Sequence, residues 1–270
     1  MSPSFKPTNR AAFHSSSPYY AAPRSTYKCR ATQRTPRFYL LINGEPCYLD
    51  IEFQKYKIAG EAKERQRIGR IAILNSKGEV VLDVYAFYPR EQGVEKRWQP
   101  ACFGVVTQDL LYRNGAVAAA EVEAWVAQIV KGRTVVVHGG KHDMSAFYYE
   151  KEAIWATSTV VDTQSLYGQV ALPTLADAYL GMSIQAGGFH SPVEDADATR
   201  ELHLRLHPYD RDAEVARIEA ERAATPGQMQ TVDKGQAPRK RNANGSSKRR
   251  NRKKGAAEDK GTQGAAAGKS

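Results

Sequence analysis

Cysteine is scarce in this chain of 270 residues, which contains only Cys29, Cys47 and Cys102. None of the three belongs to a C-x-x-C pair, so the sequence predicts neither a zinc site nor a disulfide framework. A chain that does not depend on disulfides fits a reducing compartment. Long apolar runs are missing too, and none approaches the roughly 20 residues of a membrane span. Because the N-terminus opens with polar residues, Pro and Ser, we also predict no secretory signal and expect an intracellular protein.

Acidic residues are absent from the N-terminal part of the chain, and this uneven distribution explains the net charge of +10. Residues 1–37 carry seven Lys or Arg and no acid, and residues 226–270 carry twelve Lys or Arg against three acids. The middle of the chain, residues 38–225, has 20 basic and 26 acidic residues and is therefore negative. Basic tails attract polyanions through counterion release. The alternative explanation is that they only keep the protein soluble.

Composition also divides the chain into three parts. Residues 1–36 and 226–270 lack hydrophobic periodicity and are rich in polar residues, so we predict disordered basic tails there. Residues 37–225 have the periodic apolar pattern of a folded domain, whose core we place at residues 48–206.

The order of predicted elements indicates the fold class. Strands come first, at residues 38–42 before a hairpin turn at Asn43-Gly44, then at 48–53, and at 70–74 and 80–85 around a second turn. Helix and strand then alternate: helix 115–131, strand 134–137, helix 143–150, strand 159–161 and helix 174–180. This order predicts an α/β fold with a mixed sheet and helices on its faces.

The last helix of the core has the clearest local signal. Ser191-Pro192-Val193-Glu194 has the pattern of a capping box with Pro at the first helical position, which predicts a helix up to about Leu206. His190 lies just before this cap. Asp195 lies in the first turn, where the helix dipole favours a carboxylate. A further helix is predicted from Asp212 to Ala224.

Two acidic residues on a predicted buried strand suggest a site for divalent cations. Asp50 and Glu52 are two residues apart, so both side chains leave the same face of the strand. Burying unpaired carboxylates is costly, and divalent cations are the natural compensation. Taken alone, however, this pair is better explained by an exposed, solvated edge strand.

Two further segments favour the cation site over the solvated edge strand. The segment His138-Gly139-Gly140-Lys141-His142-Asp143 places Asp143 just past a buried strand, and His190 and Asp195 are five positions apart across a helix cap. With Asp50-Ile51-Glu52, these segments resemble the three motifs of the DEDDh 3′–5′ exonucleases. Gly69 to Gly78, Asp162-Thr163 and Leu180 to Gln185 extend the similarity towards the branch of eukaryotic RNA exonuclease 4-like and interferon-stimulated exonucleases.

The resemblance covers roughly residues 48–206 and implies an RNase H-like fold. It implies that Asp50, Glu52, Asp143 and Asp195 bind two Mg²⁺ or Mn²⁺ ions, and that His190 is the general base. The implied reaction is stepwise release of nucleoside 5′-monophosphates from the 3′ end of single-stranded RNA. Two alternatives stay open: a 3′–5′ exonuclease of single-stranded DNA, and a non-catalytic RNA-binding module on the same fold.

Other polar residues have plainer explanations. We expect His138 to be structural and His142 either to be structural or to support the metal ligands without binding the metal itself. We expect Asp162 to have a role in a turn or a cap. Asp197 should face away from the site, because it is two positions past Asp195 on a helix. A basic loop comprises Lys55, Lys57, Lys63, Arg65 and Arg67, and it either contacts a phosphate backbone or is simply solvated.

Two bulky residues depart from the family pattern. Phe103 stands where a small polar residue usually precedes the glycine at 104, and Phe53 follows Glu52. In the family both positions contact the terminal nucleotide, so they leave the substrate preference open.

The basic residues of the C-terminal tail suggest a location. The stretch Arg239–Lys254 contains nine Lys or Arg in two clusters and resembles a bipartite nuclear import signal. It predicts binding to an import receptor and a nuclear or nucleolar location, and it would also serve as an RNA-binding arm.

Overall fold

The computed structural model describes residues 31–96 and 104–224. The predictions for most of both tails, for the import signal and for Phe103 concern residues outside these ranges. The structure does describe residues 31–36, and Gln33 forms a β-bridge with Asp83. The β-pairing therefore includes residues that precede the predicted domain boundary at residue 37.

A seven-stranded mixed sheet forms the centre of the domain. Its strands are β1 (Cys47–Ile58), β2 (Glu64–Leu74), β3 (Val80–Phe87), β4 (Val94–Lys96), β5 (Val117–Ala118), β6 (Thr134–Val137) and β7 (Thr159–Asp162). The order along the sheet is β5-β3-β2-β1-β6-β7, and β4 pairs with the far part of β1. β1, β2 and β3 are mutually antiparallel, whereas β6 runs parallel to both β1 and β7.

The side chains of β1 alternate between two cores. Leu49 and Ile51 belong to the large apolar cluster that also contains residues of the first long helix, while Tyr48 packs with Val193 of a later helix. Because successive side chains of a strand point to opposite faces, Asp50 must point to the same side as Tyr48.

Helices cover both faces of the sheet, as predicted for this α/β fold. They are α1 (Ala119–Val130), α2 (Lys141–Ser145), α3 (Lys151–Ala156), α4 (Thr163–Leu166), α5 (Leu172–Leu175), α6 (Pro192–Leu206) and α7 (Arg211–Ala224). The buried residues of α1 are Ala119, Val122, Glu123, Val126, Ile129 and Val130. Apart from Glu123 they belong to the large cluster, whereas α6 packs against the opposite face of the sheet. The boundaries predicted for β6 and α6 agree with the structure.

The predicted strand at residues 38–42 is wrong, since residues Phe38–Leu40 form a 3₁₀ turn. Near Cys47 and Tyr48 both edges of β1 are already taken, by β2 on one side and β6 on the other. A strand at 38–42 would have no free edge of β1 to pair with.

The predicted helix at residues 143–150 is also wrong, because the chain forms two short helices instead. The buried carboxylate of Glu123 accepts hydrogen bonds from the backbone N–H groups of Tyr148, Tyr149 and Glu150, at 2.8, 2.6 and 2.8 Å. These amides therefore do not bond to helix carbonyls, and the helix is interrupted between α2 and α3.

The capping box predicted at Ser191 and Glu194 does not form. Ser191 makes no side-chain cap, and Oε2 of Glu194 instead accepts a hydrogen bond of 3.1 Å from the backbone N–H of Gln185. The helix predicted at 174–180 begins earlier, as α5, and its last turn, Ala176–Leu180, is a π-helix.

In the part of the chain that the structure describes, no helix combines the length and the apolar character that crossing a membrane requires.

Candidate active site

The first two acidic residues of the site lie on β1, the strand that pairs with β2 along its length and with β6 at its start. A register shift follows Glu52, because β2 has the extra residue Gly69 between the partners of Glu52 and Phe53. A Cβ atom on Gly69 would lie 2.8 Å from the carbonyl oxygen of Glu52 and 3.0 Å from the amide nitrogen of Gln54. Only glycine allows the two strands to approach this closely beside the acidic pair.

The third acidic residue, Asp143, is buried in the short helix α2. A turn at Gly139 and Gly140 leads from β6 into α2, and Asp162 at the end of β7 holds this turn. Its Oδ1 accepts from the N–H of Gly139 at 2.9 Å, and its Oδ2 accepts from the N–H of Gly140 at 3.2 Å. Asp162 also caps α4 by accepting from the N–H of Gln164 at 2.9 Å, so the cap predicted for this residue is present.

The structure brings Glu52, His190 and Asp195 together. Nδ1 of His190 lies 3.7 Å from Oε1 of Glu52 and 3.8 Å from Oδ2 of Asp195. One potential ligand atom from each residue lies within 4.8 Å of the other two, a grouping that could hold a metal ion. Glu52 and Asp195 are buried, whereas His190 is partly exposed.

A glycine packs against the histidine. Gly104 has a left-handed backbone with φ of 71°, and a Cβ atom there would lie 2.3 Å from the carbonyl oxygen of His190 and 3.7 Å from Cγ of Glu52. The hydroxyl of Tyr85 donates to the carbonyl oxygen of Gly104 at 3.3 Å. Residue 104 therefore lies between the histidine and one acidic residue, at a position where any larger side chain would displace them.

Burial and mutual repulsion raise the pKa values of the carboxyl groups on β1. The pKa of Asp50 lies well above its ordinary value, first because the group is buried and then because Asp195, Asp143 and Glu52 are nearby. Burial and the charge of Asp195 raise the pKa of Glu52 to about 9, although the neighbouring cation of Arg70 opposes this rise.

The same physics applies to the carboxyl group on α2. Burial, Asp162 and Asp195 together raise the pKa of Asp143 to about 8. Asp50 and Asp143 are thus in the same electrostatic cluster as Asp195, although they are not in the compact group of three. Four carboxylates that oppose one another's ionisation are suited to hard divalent cations, which prefer oxygen ligands.

A buried ion pair supports the cluster from the neighbouring strand. Arg70 lies opposite Glu52 in the sheet and donates two hydrogen bonds to Asp83, of 2.8 Å to Oδ1 and 2.9 Å to Oδ2. Thr32 donates to the same Oδ2 from its backbone N–H at 2.7 Å and from its hydroxyl at 2.9 Å. Arg70 lies within the segment Gly69 to Gly78 that resembles the exonuclease branch, but the sequence indicated no role for it, because a basic residue on a strand carries no signal of a buried partner.

Gln185 is a second residue that the sequence did not single out for a role at the site. Its side-chain Nε2 donates a 2.9 Å hydrogen bond to Oδ2 of Asp195. The residue lies within the segment Leu180 to Gln185 that resembles the exonuclease branch. That similarity was the only signal in the sequence, because its distance of ten residues from Asp195 indicates no contact.

Of the two other histidines in the second motif, His138 has a structural contact and His142 is exposed. Nδ1 of His138 lies 3.0 Å from the hydroxyl of Thr163, and that hydroxyl donates to the carbonyl of Val137 at 3.0 Å. Burial lowers the pKa of His138. His142 is exposed on α2.

The other polar, basic and aromatic residues named from the sequence do not belong to the carboxylate cluster. Asp197 is buried on α6 and pairs with Arg200 at 2.7 Å. The predicted basic loop is wrong for four of its five residues, because Lys55 and Lys57 lie on β1 and Arg65 and Arg67 lie on β2. Arg65 donates to Glu61, whereas Arg67 is buried over the ring of Tyr88. Arg67 is therefore not accessible at the surface as a phosphate contact. Phe53 is partly buried against the large apolar cluster.

Comparisons with known proteins agree with the class that this site suggests. RNA exonuclease 4 from Saccharomyces cerevisiae is 33% identical over 58% of this chain and 54% of its own length. RNA exonuclease 4 from Debaryomyces hansenii is 30% identical over 59% of this chain and 57% of its own length. The chain thus spans little more than half the length of these curated relatives. No family model matches the sequence.

Among solved structures, the Pan2 catalytic unit of Neurospora crassa, with protease and nuclease domains, gives a TM-score of 0.49 at 16% identity. That match covers 76% of this chain and 34% of the other. The mixed sheet with flanking helices and the clustered carboxylates agree with the fold and the acidic site that the resemblance to the DEDDh exonucleases implied. In sequence, the chain is similar over part of its length to proteins named RNA exonuclease 4.

Proposed function

We propose that the protein is a metal-dependent 3′–5′ exonuclease that hydrolyses RNA from its 3′ end and releases nucleoside 5′-monophosphates. The observation that carries this proposal is the meeting of Glu52, His190 and Asp195 within 4.8 Å, in one electrostatic cluster with the buried Asp143 and the partly buried Asp50. The names of the relatives, RNA exonuclease 4, support RNA as the substrate.

The four carboxylates Asp50, Glu52, Asp143 and Asp195 would hold two Mg²⁺ or Mn²⁺ ions. The raised pKa values of Asp50, Glu52 and Asp143 support this role, because the folded chain favours protons, or other cations, at these oxygens. When bound, such ions make a hydrolytic water more acidic and stabilise the charge that develops on the leaving oxygen. The protein's contribution is to fix the oxygens on a strand and two helices, which are rigid elements.

His190 supplies the general base in this proposal. Burial lowers the pKa of its imidazole below the ordinary 6.5, and Glu194 opposes this effect. The ring is therefore largely neutral near pH 7 and able to accept a proton. Because His190 precedes α6 in a partly exposed loop, its ring is reachable by substrate.

The basic tail leads to a proposal on location. We propose that Arg239–Lys254 binds an import receptor and directs the protein to the nucleus or nucleolus, where precursor RNAs are processed. The support is the sequence pattern alone, two clusters of Lys and Arg separated by six residues. A fluorescent fusion tests this: replacing the nine basic residues with Gln should move the signal to the cytoplasm.

A time course on single-stranded RNA tests the activity. With 5′-labelled RNA and Mg²⁺ or Mn²⁺, we expect a ladder that shortens from the 3′ end, and no cleavage in EDTA. Asp195→Asn should abolish the ladder. Asp177→Asn is the matched control, because Asp177 is an exposed carboxylate outside the cluster, and it should cleave at the rate of the wild type.

The same assay separates the alternatives. A DNA oligomer of matched sequence that is degraded faster than RNA would establish the single-stranded DNA exonuclease instead. RNA that is bound but never cleaved by folded protein with either metal would establish the non-catalytic binding module.

A further inference from the structure

Gln185 contacts the first turn of α6 twice. Its side-chain Nε2 donates to Oδ2 of Asp195 at 2.9 Å, and its backbone N–H donates to Oε2 of Glu194 at 3.1 Å. One residue therefore holds the two carboxylates that follow each other at the start of this helix.

These contacts close the loop that carries His190. The loop starts at Gln185, passes through Gly187 and Gly188, which both have left-handed backbones, and ends at His190. Both ends lie at the same carboxylate oxygen, since Nδ1 of His190 is 3.8 Å from Oδ2 of Asp195. Gln185 thus fixes one end of the loop and, through Asp195, the group beside its other end.

The backbone of Gln185 is itself unusual. Its φ of 53° lies in the left-handed region. Gly, and less often Asn or Asp, adopts this conformation readily, whereas other residues such as Gln are disfavoured there. Glycine would relieve this conformation but would lose the carboxamide. The strain at this position is therefore consistent with a role for the side chain.

The chemistry of a carboxamide suits this position. A neutral N–H donor orients a carboxylate without adding charge to an acidic cluster, whereas Lys or Arg would compete with a metal cation and Glu would add to the repulsion. Carboxylates that ligate metals are commonly held by such hydrogen bonds. We propose that Gln185 is a positioning residue that orients Asp195 for metal binding. This inference rests on the metal site of the proposed function.

Two substitutions separate positioning from folding. Gln185→Met keeps the length of the side chain but removes the donor, and Gln185→Gly also relieves the backbone. We expect both to raise the Mn²⁺ dissociation constant by roughly 10-fold or more, the usual effect of losing such a partner. The measurement is a Mn²⁺ titration of the full chain, followed by electron paramagnetic resonance of the free ion.

Gln169 provides the matched control. It is the other described non-glycine residue with a left-handed backbone, at φ of 67°, and its side chain contacts Ser165 at 3.3 Å rather than a carboxylate. Gln169→Met and Gln169→Gly should leave the Mn²⁺ dissociation constant within about two-fold of the wild type. In EDTA, Gln185→Gly should unfold within a few degrees of the wild type, because the relieved backbone offsets the absence of the side-chain hydrogen bond.

Each outcome has a distinct meaning. Unchanged Mn²⁺ affinity in both Gln185 variants would overturn the proposal, even if their activity fell. Wild-type protein that fails to bind Mn²⁺ would overturn both this proposal and the metal site. Wild-type protein that binds Mn²⁺ but leaves RNA intact would overturn the exonuclease function alone, and a weaker affinity in the Gln185 variants would still support the positioning role.

Discussion

The imidazole of His190 lies beside two buried carboxylates, with Nδ1 3.7 Å from Glu52 and 3.8 Å from Asp195. Burial lowers the pKa of this ring, and the nearby charge of Glu194 opposes the shift without reversing it. A neutral ring fits a proton acceptor, whereas a permanently charged one would only pair with its neighbours.

His190→Ala should therefore lower single-turnover cleavage of RNA at pH 7.5 by on the order of 10² to 10⁴-fold, the usual contribution of a general base. The Mn²⁺ dissociation constant should change far less, because four carboxylates remain. His142→Ala is the control, since this exposed histidine adjoins Asp143 without joining the cluster. Equal rates for His190→Ala and the wild type would refute the assignment of the base.

The raised carboxyl pKa values make the metal-free protein sensitive to pH. The ordinary values for Asp and Glu are 3.8 and 4.5, whereas the pKa of Asp143 is raised to about 8 and that of Glu52 to about 9. The folded state therefore holds these protons more firmly than the unfolded state. The resulting stability is fully present below about pH 4 and is lost as the pH rises towards 8 and 9.

In EDTA, we expect this loss to lower the unfolding temperature between pH 5.5 and pH 8.5. Glu52→Gln and Asp143→Asn should reduce the fall, because a neutral amide has no proton to lose. Addition of Mg²⁺ should raise the unfolding temperature more at pH 8.5 than at pH 5.5. Calorimetry at the two pH values measures each effect, and an equal response to Mg²⁺ at both would contradict the prediction.

At the scale of elements, the turn between β6 and α2 is held from the neighbouring strand. Asp162 on β7 accepts N–H bonds from Gly139 and Gly140, and the helix that follows this turn presents Asp143. The glycines are required by the geometry: φ is 67° at Gly139, and a Cβ atom on Gly140 would lie 2.2 Å from the side chain of Val137. The parallel pairing of β6 with β7 thus positions the third acidic residue.

Asp162→Ala should lower the free energy of unfolding by about 1–3 kcal/mol, because three backbone N–H groups lose a charged acceptor. Turnover should fall further than this loss of stability explains, since Asp143 is no longer held, while KM for RNA changes little. Denaturant unfolding and steady-state kinetics measure the two effects. Asp210→Ala is the control, because Asp210 also accepts a hydrogen bond from a backbone N–H, that of Ala213 of α7 at 3.0 Å, and belongs to none of the acidic motifs. Wild-type turnover in Asp162→Ala would show that the turn holds Asp143 in place without the hydrogen bonds to Asp162.

At the scale of the whole molecule, charge is divided between the tails and the middle of the chain. The middle is acidic, and its buried carboxylates repel phosphate until cations are bound, whereas the tails are strongly basic. We therefore expect the C-terminal tail to contribute to the capture of RNA through counterion release.

Replacing the nine Lys and Arg of Arg239–Lys254 with Gln, in an Asp195→Asn background that prevents cleavage, should weaken RNA binding. The slope of the logarithm of the affinity against the logarithm of salt concentration should become shallower by several units, because each phosphate of a single strand that is no longer neutralised reduces it by about 0.7. Fluorescence anisotropy at several salt concentrations measures this slope. An unchanged slope would show that the tail does not contact RNA.

Much of the fold could be predicted because its elements carry local patterns. The uniformly apolar run Thr134–Val137 and the Pro-initiated helix Pro192–Leu206 have the predicted bounds, since the side chains of each element decide them. The predictions failed where a distant group intervened. The carboxylate of Glu123 accepts from three backbone N–H groups and so interrupts the helix expected after Asp143. The backbone N–H of Gln185 donates to the carboxylate of Glu194, which the predicted capping box required as an acceptor.

The chemistry proposed for the site follows from the resemblance of its motifs to those of the DEDDh exonucleases and not from spacing alone. The sequence by itself determined the local placement of the candidate residues: Asp50 and Glu52 lie on one face of a strand, and His190 and Asp195 lie across a helix start. Only the tertiary structure decided which residues support them. Arg70 beside Glu52, Gly104 against His190, Asp162 under the turn and Gln185 on Asp195 are contacts between segments distant in sequence. Such contacts depend on sheet pairing and on how the loops pack, so they cannot be predicted from the periodicity of one segment.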